Sequence, residues 1–231
     1  MTGRWSLNKS VGLSLLPVRC PRCGWNTLGL SDSDAVLLCP NCHELWEEAH
    51  GTFVEREYHF VKTDIVSPRY LPFWTYRLTV KTSRGDITDF HTYARHIAFT
   101  KSLDRVKNRP LMLFVGAFKL RAETQRLNIS RRYTYRQPVL SPGEVRVGQA
   151  WGPVLPDKTA QNYGRTIFIS TLSENNKNSV EFVSNLTVAL SSPVLSFIPY
   201  QEDGRYLKDP VGGFTIQRDL LIDTPARIGP I

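Results

Sequence analysis

The four cysteines of this 231-residue chain form two CxxC pairs, and the chain contains no other cysteine. Cys20 and Cys23 make up the first pair, Cys39 and Cys42 make up the second, and 15 residues separate the two pairs. A tetrahedral metal site takes four thiolates at about 2.3 Å from the ion, and each CxxC turn supplies two of them. The number and spacing of the cysteines therefore predict a metal site with these four residues as ligands.

Zinc is the metal that this ligand set favours. Iron is the less favoured alternative, since four thiolates suit either metal by geometry alone. With all four tetrahedral positions filled by protein, no position is left open for a reactive water. We therefore expect a structural zinc ion and not a catalytic one.

Three other uses of the cysteines are less favoured by the sequence. Two disulfides need an oxidising compartment, and the residues after Met1 include no apolar signal segment, so export is not expected. Cys42 followed by His43 matches the CxxCH haem-attachment motif, but haem would leave Cys20 and Cys23 without a role. A thioredoxin-like dithiol begins a helix, whereas both pairs here lie in turn-like sequence.

Residues 18–60 resemble a zinc ribbon. The first knuckle, Cys-Pro-Arg-Cys-Gly-Trp, is followed by a polar turn at 31–34, by an apolar strand at 35–38 that enters the second knuckle, and by a further strand at 52–60. The resemblance implies that the four cysteines are the zinc ligands. Ribbons of this kind serve in nucleic-acid machines, as enzyme appendages and as assembly modules, and no family is recognised for residues 61–231.

The residues after the second knuckle carry two further expectations. His43 stands where zinc ribbons commonly have glycine, so we expect a less relaxed turn after Cys42. Glu44, Glu47 and Glu48 follow it and are predicted to form a solvated acidic edge.

The remainder of the chain mixes strand and helix signals. Alternating apolar residues predict a strand over Thr75 to Thr82 with Tyr76, Leu78 and Val80 on one face. Helical spacing predicts a short helix within residues 120–129. The fold class we predict is α+β, with an N-terminal zinc ribbon followed by a mixed, strand-rich domain with a few short helices.

The domain division follows from the ribbon and from a loop-like segment. We predict that residues 1–62 form the zinc ribbon with its N-terminal extension and that residues 63–231 form the α+β domain. Residues 138–156 are rich in proline and glycine and are a candidate seam within that domain.

A proline-aromatic pattern recurs along the chain. Residues 67–74 and 192–200 each begin with Ser-Pro and continue into apolar and aromatic residues with a second proline, and residues 109–118 form a looser copy. Proline cannot donate a ladder hydrogen bond. The strands are therefore predicted to end at these prolines or to lie at a sheet edge.

The positive charge is concentrated in the middle of the chain. The net charge is +8 overall and +11 over residues 61–150, from 17 Lys and Arg against 6 Asp and Glu. A basic face with aromatic residues attracts polyanions. Its sharpest local patch, and our candidate polyanion-binding site, comprises Arg131, Arg132, Tyr133, Tyr135 and Arg136. The alternative is that the aromatic residues belong to the core and the arginines to a solvated face.

The sequence favours binding over catalysis. It contains no phosphate-binding, dinucleotide, zinc-protease or serine-hydrolase motif, although an enzyme built on unfamiliar carboxylates stays open. It also lacks the run of about 18 apolar residues that a transmembrane helix needs, and a cytoplasmic protein is expected.

We expect a non-enzymatic zinc-ribbon interaction protein, an accessory or assembly subunit of a larger complex with protein partners. The alternative is a nucleic-acid-binding protein that uses the ribbon and the basic segment 61–150. Residues 1–60 carry a net charge of −2, which favours the first function because a ribbon that docks on nucleic acid is expected to bring its own basic residues.

Overall fold

The computed structural model describes residues 19–26, 34–39, 41–49, 51–97, 108–222 and 225–228. Its strands are β1 (Val36–Leu38), β2 (Leu45–Ala49), β3 (Thr52–Val61), β4 (Arg69–Thr82), β5 (Gly85–Ile87), β6 (Met112–Gly116), β7 (Pro142–Gly143), β8 (Gly148–Ala150), β9 (Thr187–Asp203), β10 (Tyr206–Lys208), β11 (Thr215–Gln217) and β12 (Ala226–Ile228). Its helices are α1 (Phe90–Ala94), α2 (Glu123–Arg136), α3 (Asp157–Asn162), α4 (Gly164–Thr171), α5 (Glu174–Lys177) and α6 (Val180–Ser184), with a 3₁₀ turn at Arg218–Leu220.

The described strands join into one 12-stranded sheet. Its main path runs β1-β2-β3-β9-β4-β8-β12, and these seven strands curl into a half-barrel. The shorter strands attach to its sides: β5 and β6 pair with β4, β7 pairs with β3, and β10 carries β11 beside β9. A strand-rich α+β fold with the cysteine cluster near its N-terminus is therefore confirmed. The division into residues 1–62 and 63–231, and the seam at 138–156, stay predictions.

The strand predicted over Thr75 to Thr82 is confirmed as the second half of β4, where Tyr76, Leu78 and Val80 are fully buried. The predicted short helix lies further along the chain than expected. It is α2, which begins at Glu123 and ends where Gln137 takes a left-handed conformation with φ 51°.

The prediction that strands end at the prolines or lie at an edge is wrong, because Pro72 and Pro199 lie inside the two central strands, β4 and β9. Pro72 is paired with Phe197 and Pro199 with Tyr70 in their antiparallel ladder. The carbonyl of Pro72 accepts a hydrogen bond from the amide of Ala117, which lies on the side of β4 away from β9. In a β-strand, the backbone N and O of one residue point to the same side. The β4–β9 ladder therefore needs no amide from Pro72, nor from Pro199 two register positions away.

At each proline, the strand also changes its neighbour on the outer side, which is the side that faces away from the other central strand. Before Pro72, β4 runs parallel to β8, and after it β4 runs antiparallel to β6. Before Pro199, β9 runs parallel to β3, and after it β9 runs antiparallel to β10. The missing amide falls in the gap between two outer strands in both cases. The recurring sequence pattern thus corresponds to a pseudo-two-fold arrangement of the two central strands.

The middle of the sheet, at β4 and the second half of β9, is buried on both faces. The side chains of β4 alternate between a larger core, which includes Trp74 and Tyr76, and a smaller one, which includes Leu71 and Phe73. Phe90 of α1 and Phe168 of α4 belong to the larger core. The smaller core is covered by α2 and by the β10–β11 hairpin. A strand that is buried on both faces has a nearly continuous run of apolar residues, and residues 70–76 of β4 form such a run.

Helix α2 covers the outer edge of β6 with polar side chains. Three of them accept hydrogen bonds from the amides of alternate residues of β6: Ser130 Oγ from Gly116 (3.0 Å), Thr134 Oγ1 from Phe114 (3.1 Å) and Gln137 Oε1 from Met112 (2.8 Å). Four helical residues advance about 6.0 Å and two strand residues about 6.8 Å, so the contacts of Ser130 and Thr134 stay nearly in step, and Gln137 just beyond the helix reaches Met112 with a longer side chain. The helix therefore occupies the place of a neighbouring strand and satisfies an edge that would otherwise be unpaired.

Candidate functional site

The four predicted metal ligands lie together. The Sγ atoms of Cys20, Cys23, Cys39 and Cys42 all lie within 4.8 Å of one another, with 3.6 Å between Cys20 and Cys42 and 3.5 Å between Cys23 and Cys39. Four thiolates at about 2.3 Å from a central ion would be about 3.8 Å apart in a tetrahedron. The cluster therefore fits a metal ion, and Cys20, Cys23, Cys39 and Cys42 form a possible metal site as the sequence predicts.

Both knuckles use the same backbone turn. The amide of Gly24 donates to the carbonyl of Cys20 at 2.9 Å, and the amide of His43 donates to the carbonyl of Cys39 at 3.0 Å. Gly24 has φ 73° and His43 has φ 58°, so each knuckle needs a left-handed residue directly after its second cysteine. Glycine adopts this conformation without steric cost, whereas histidine adopts it at a steric cost. The expectation of a less relaxed turn after Cys42 agrees with this geometry.

The thiols differ in how readily they ionise when no cation is bound. The backbone amide of Trp25 lowers the pKa of the Cys23 thiol to about 6. Burial raises the pKa of the Cys42 thiol to about 12, and the neighbouring thiols add to this. A thiol with so high a pKa loses its proton only when a cation replaces it. Metal binding at this cluster is therefore coupled to proton release.

Glu47, which was predicted to be part of a solvated edge, is only 1% exposed, so that prediction is wrong for this residue. Its carboxylate accepts hydrogen bonds from Arg56 Nε and from the backbone amide of Asp157, both at 2.6 Å. Arg56 also pairs with the Asp157 carboxylate at 3.1 Å, and Tyr76 donates to that carboxylate at 2.9 Å. This network joins β2 and β3 to α3 and the central strand β4.

The five residues of the candidate polyanion site do not share one surface. Arg131, Arg132, Tyr135 and Arg136 line a cleft of about 730 Å³ between α2 and residues 213–215. Asn128, Gly213, Phe214 and Thr215 complete its lining, and we call this site the arginine cleft. The three arginines are exposed, and none of them forms an ion pair with a carboxylate in the described part of the chain.

Tyr133 lies on the opposite face of the helix, in the core. Its side chain is fully buried against Phe73 and Phe214, and its hydroxyl donates to Asp209. Burial raises the pKa of Tyr133 well above its ordinary value, with further contributions from Tyr200 and Asp209. Helical spacing alone would have placed Tyr133 on a different face from the three arginines, and it would have placed Asn128 on the same face as the arginines. No sequence signal connects α2 to Phe214.

A second exposed surface lies beside the sheet, where residues 62–67 and 143–147 form a cleft of about 550 Å³. Its lining includes three charged residues, Lys62, Glu144 and Arg146, and four branched aliphatic residues after which we call it the valine cleft: Ile65, Val66, Val145 and Val147. Val66 is 89% exposed and Val147 is 49% exposed. No sequence signal identifies this surface, because its halves are far apart in the chain.

The two loops of the valine cleft are held in place by backbone contacts. The amide of Lys62 donates to Ser141 at 2.8 Å, and the amide of Gln149 donates to Pro68 at 3.0 Å. A Cβ on Gly143 would come within 2.7 Å of the Lys62 backbone, so the close approach requires glycine there. The exposed aliphatic side chains therefore stand on a fixed surface.

No described helix is both long enough and apolar enough to cross a membrane. Comparison of the chain with protein-family models, with curated proteins and with solved structures finds no match. The function must therefore be inferred from the sites themselves.

Proposed function

We propose that this protein is a non-enzymatic zinc-ribbon interaction protein that serves as an accessory or assembly subunit of a larger complex. The observation that carries the proposal is the valine cleft. Clustered aliphatic side chains are costly to expose, and on a fixed surface they are typical of a site that a partner covers. The partner is a protein that presents apolar side chains to Val66 and Val147.

The metal cluster supports the same proposal. Zinc bound by four thiolates has no open coordination position, so it organises the chain and does not activate water. It fixes the two knuckles, and Glu47 on the strand that follows the second knuckle joins β2 to β3 and α3. Four cysteines without a disulfide suit a reducing compartment, which supports a cytoplasmic location.

The test uses the full chain isolated from its native cells, with and without nuclease. We expect a protein partner at a fixed stoichiometry by native mass spectrometry, resistant to nuclease. Val66→Glu combined with Val147→Glu should abolish its recovery, because each change would bury a carboxylate in an apolar interface. The matched control is Val180→Glu, since Val180 is 82% exposed and lies on α6. Loss of the partner on nuclease treatment, or equal recovery with all variants, would contradict the proposal.

A second candidate function is nucleic-acid binding through the arginine cleft. The specific observation in its favour is that three arginines line one cleft of about 730 Å³ beside Phe214 and Tyr135. Guanidinium groups bind phosphates, and aromatic side chains next to them stack on bases.

Salt dependence distinguishes this candidate. If the arginine cleft grips a phosphate backbone, log K for a single-stranded oligonucleotide falls by about 0.7 per phosphate contact for each tenfold rise in salt. Replacing its three arginines by glutamine should then lower that slope. A charge-matched control replaces three exposed arginines elsewhere: Arg165, Arg205 and Arg227. Equal slopes for the two triple variants would exclude a specific role of the arginine cleft.

A further inference from the structure

A third cavity lies on the sheet face that carries the smaller core, beyond the part that α2 covers. Its volume is about 420 Å³, which is within the range of about 300–1,000 Å³ for small-molecule sites. The floor comes from β3, β9, β4 and β6, and the walls from residues 109–110 and 137–142. We call it the sheet groove.

The polar groups of the floor are already satisfied by one another. Thr75 Oγ1 donates to the carbonyl of Val194 at 3.0 Å and contacts Ser196 Oγ at 3.2 Å, and Ser196 Oγ lies 3.2 Å from His59 Nε2. Burial lowers the pKa of His59, against the opposing effect of Glu57, so its imidazole is neutral at pH 7. An apolar ligand can therefore cover this floor without leaving hydroxyl groups unpaired.

Arg109 is the charged group of the sheet groove for which the described residues supply no carboxylate partner. Its side chain is half-buried, stacks over the ring of Phe90 at 4.8 Å and donates to the carbonyl of Gln137. No carboxylate among the described residues lies within ion-pair distance of it. Burial lowers the pKa of Arg109, but a guanidinium keeps its charge at neutral pH. A half-buried guanidinium with spare donors attracts a carboxylate.

The two ends of the sheet groove differ in charge. Arg109 lies beside β6, whereas the exposed carboxylate of Glu57 lies on β3, and three strand spacings of about 4.8 Å separate these strands. An anion is therefore drawn to the Arg109 end and away from Glu57. The rest of the lining is largely apolar, with Met112, Val139 and Leu140 among its side chains.

We propose that the sheet groove binds a small monocarboxylate with an apolar body, with its carboxylate on Arg109 and its body against Met112, Val139 and Leu140. Octanoate has this chemistry and is the probe. Octylammonium and octanol share its chain but not its charge, and they test whether the carboxylate is recognised. This site is separate from the valine cleft and the arginine cleft, so its test does not depend on the function proposed above.

The experiment measures octanoate binding to the full chain by titration calorimetry. We expect saturable binding with one site per chain, at least tenfold weaker binding of octylammonium and octanol, and at least tenfold weaker octanoate binding to Arg109→Gln. Arg165→Gln is the matched control, because Arg165 donates to the carbonyl of Val183 far from the sheet groove.

A second pair of variants keeps the proposal falsifiable if Arg109→Gln fails to fold. Val139 is 66% exposed on the wall, so a charge there should be tolerated. Val139→Asp should weaken octanoate binding and Val139→Lys should strengthen it, each several-fold and each reduced by added salt, while Val180→Asp changes nothing. Absence of saturable octanoate binding, equal binding of octylammonium, or equal effects of the Asp and Lys variants would overturn the proposal.

Discussion

The contact between α2 and the edge of β6 makes a quantitative prediction at Thr134. Thr134→Val keeps the shape of the side chain but removes the hydroxyl that accepts the hydrogen bond of the Phe114 amide at 3.1 Å. Thr134 is fully buried, and Phe114 is 1% exposed, so water cannot replace the lost acceptor. Leaving a buried amide unpaired costs about 1–3 kcal/mol. We expect the free energy of unfolding to fall by about 2 kcal/mol.

The assay is urea unfolding followed by circular dichroism, with Thr124→Val as the matched control. Thr124 lies on the same helix but is exposed, and threonine and valine have similar helix propensities. The control should therefore change the free energy of unfolding by less than about 0.5 kcal/mol. For a chain of this size, a loss of about 2 kcal/mol corresponds to a fall of about 4–8 °C in Tm.

Hydrogen exchange provides a second, local measurement. The Phe114 amide should exchange faster in Thr134→Val than in Thr134→Ser, which keeps the hydroxyl. Equal stability of the two valine variants, together with exchange of the Phe114 amide at the wild-type rate, would refute the conclusion that α2 satisfies the edge of β6.

Three further predictions concern the ribbon. Glu47→Gln should lower the free energy of unfolding by about 2 kcal/mol, because the amide has one acceptor oxygen for the two donors that the carboxylate satisfies, Arg56 Nε and the Asp157 amide, and a buried donor left unpaired costs about 1–3 kcal/mol. Exposed Glu55→Gln should change it by less than about 0.5 kcal/mol in the same urea assay. His43→Val should weaken metal affinity in a chelator competition by about 1 kcal/mol or more, whereas His43→Gly should not, because a β-branched residue is disfavoured at φ 58°. Zinc affinity, measured by the same competition, should fall at least about tenfold for each pH unit as the pH is lowered from 8 to 6. The reason is that the Cys42 thiol, with a pKa of about 12, must release its proton to bind the metal. A pH-independent affinity would contradict thiolate ligation.

The metal centre could be predicted from the sequence because its geometry is local. Each CxxC turn places two thiolates within a few residues, and the left-handed positions at Gly24 and His43 follow directly after the knuckles. The alternation in the second half of β4 is local for the same reason. A strand over residues 131–136 would place Tyr133 and Tyr135 on the same face, whereas the observed helix places Tyr133 in the core and Tyr135 in the arginine cleft.

The features that were missed depend on residues far apart in the chain. Glu47 looks like a surface carboxylate until Asp157, 110 residues away, brings its amide to it. From the sequence, Pro72 and Pro199 are expected at strand ends or edges, because proline cannot donate a hydrogen bond to a neighbouring strand. That expectation assumes that the same neighbouring strand runs along the whole length of each side. In this sheet the outer neighbour changes at each proline, and that change is set by the packing of β3, β6, β8 and β10.

These long-range contacts also tie the metal centre to the rest of the protein. Val36 and Leu45, which flank the second knuckle, belong to the larger core together with Trp74 and Phe168. Metal binding at this cluster would therefore hold in place residues that the larger core needs, in addition to the knuckles themselves. The free energy of metal binding contributes to folding in such an arrangement. A metal ion bound at this cluster would therefore help to position the sheet, and with it the loops of the valine cleft beside β3 and β4, without contacting either.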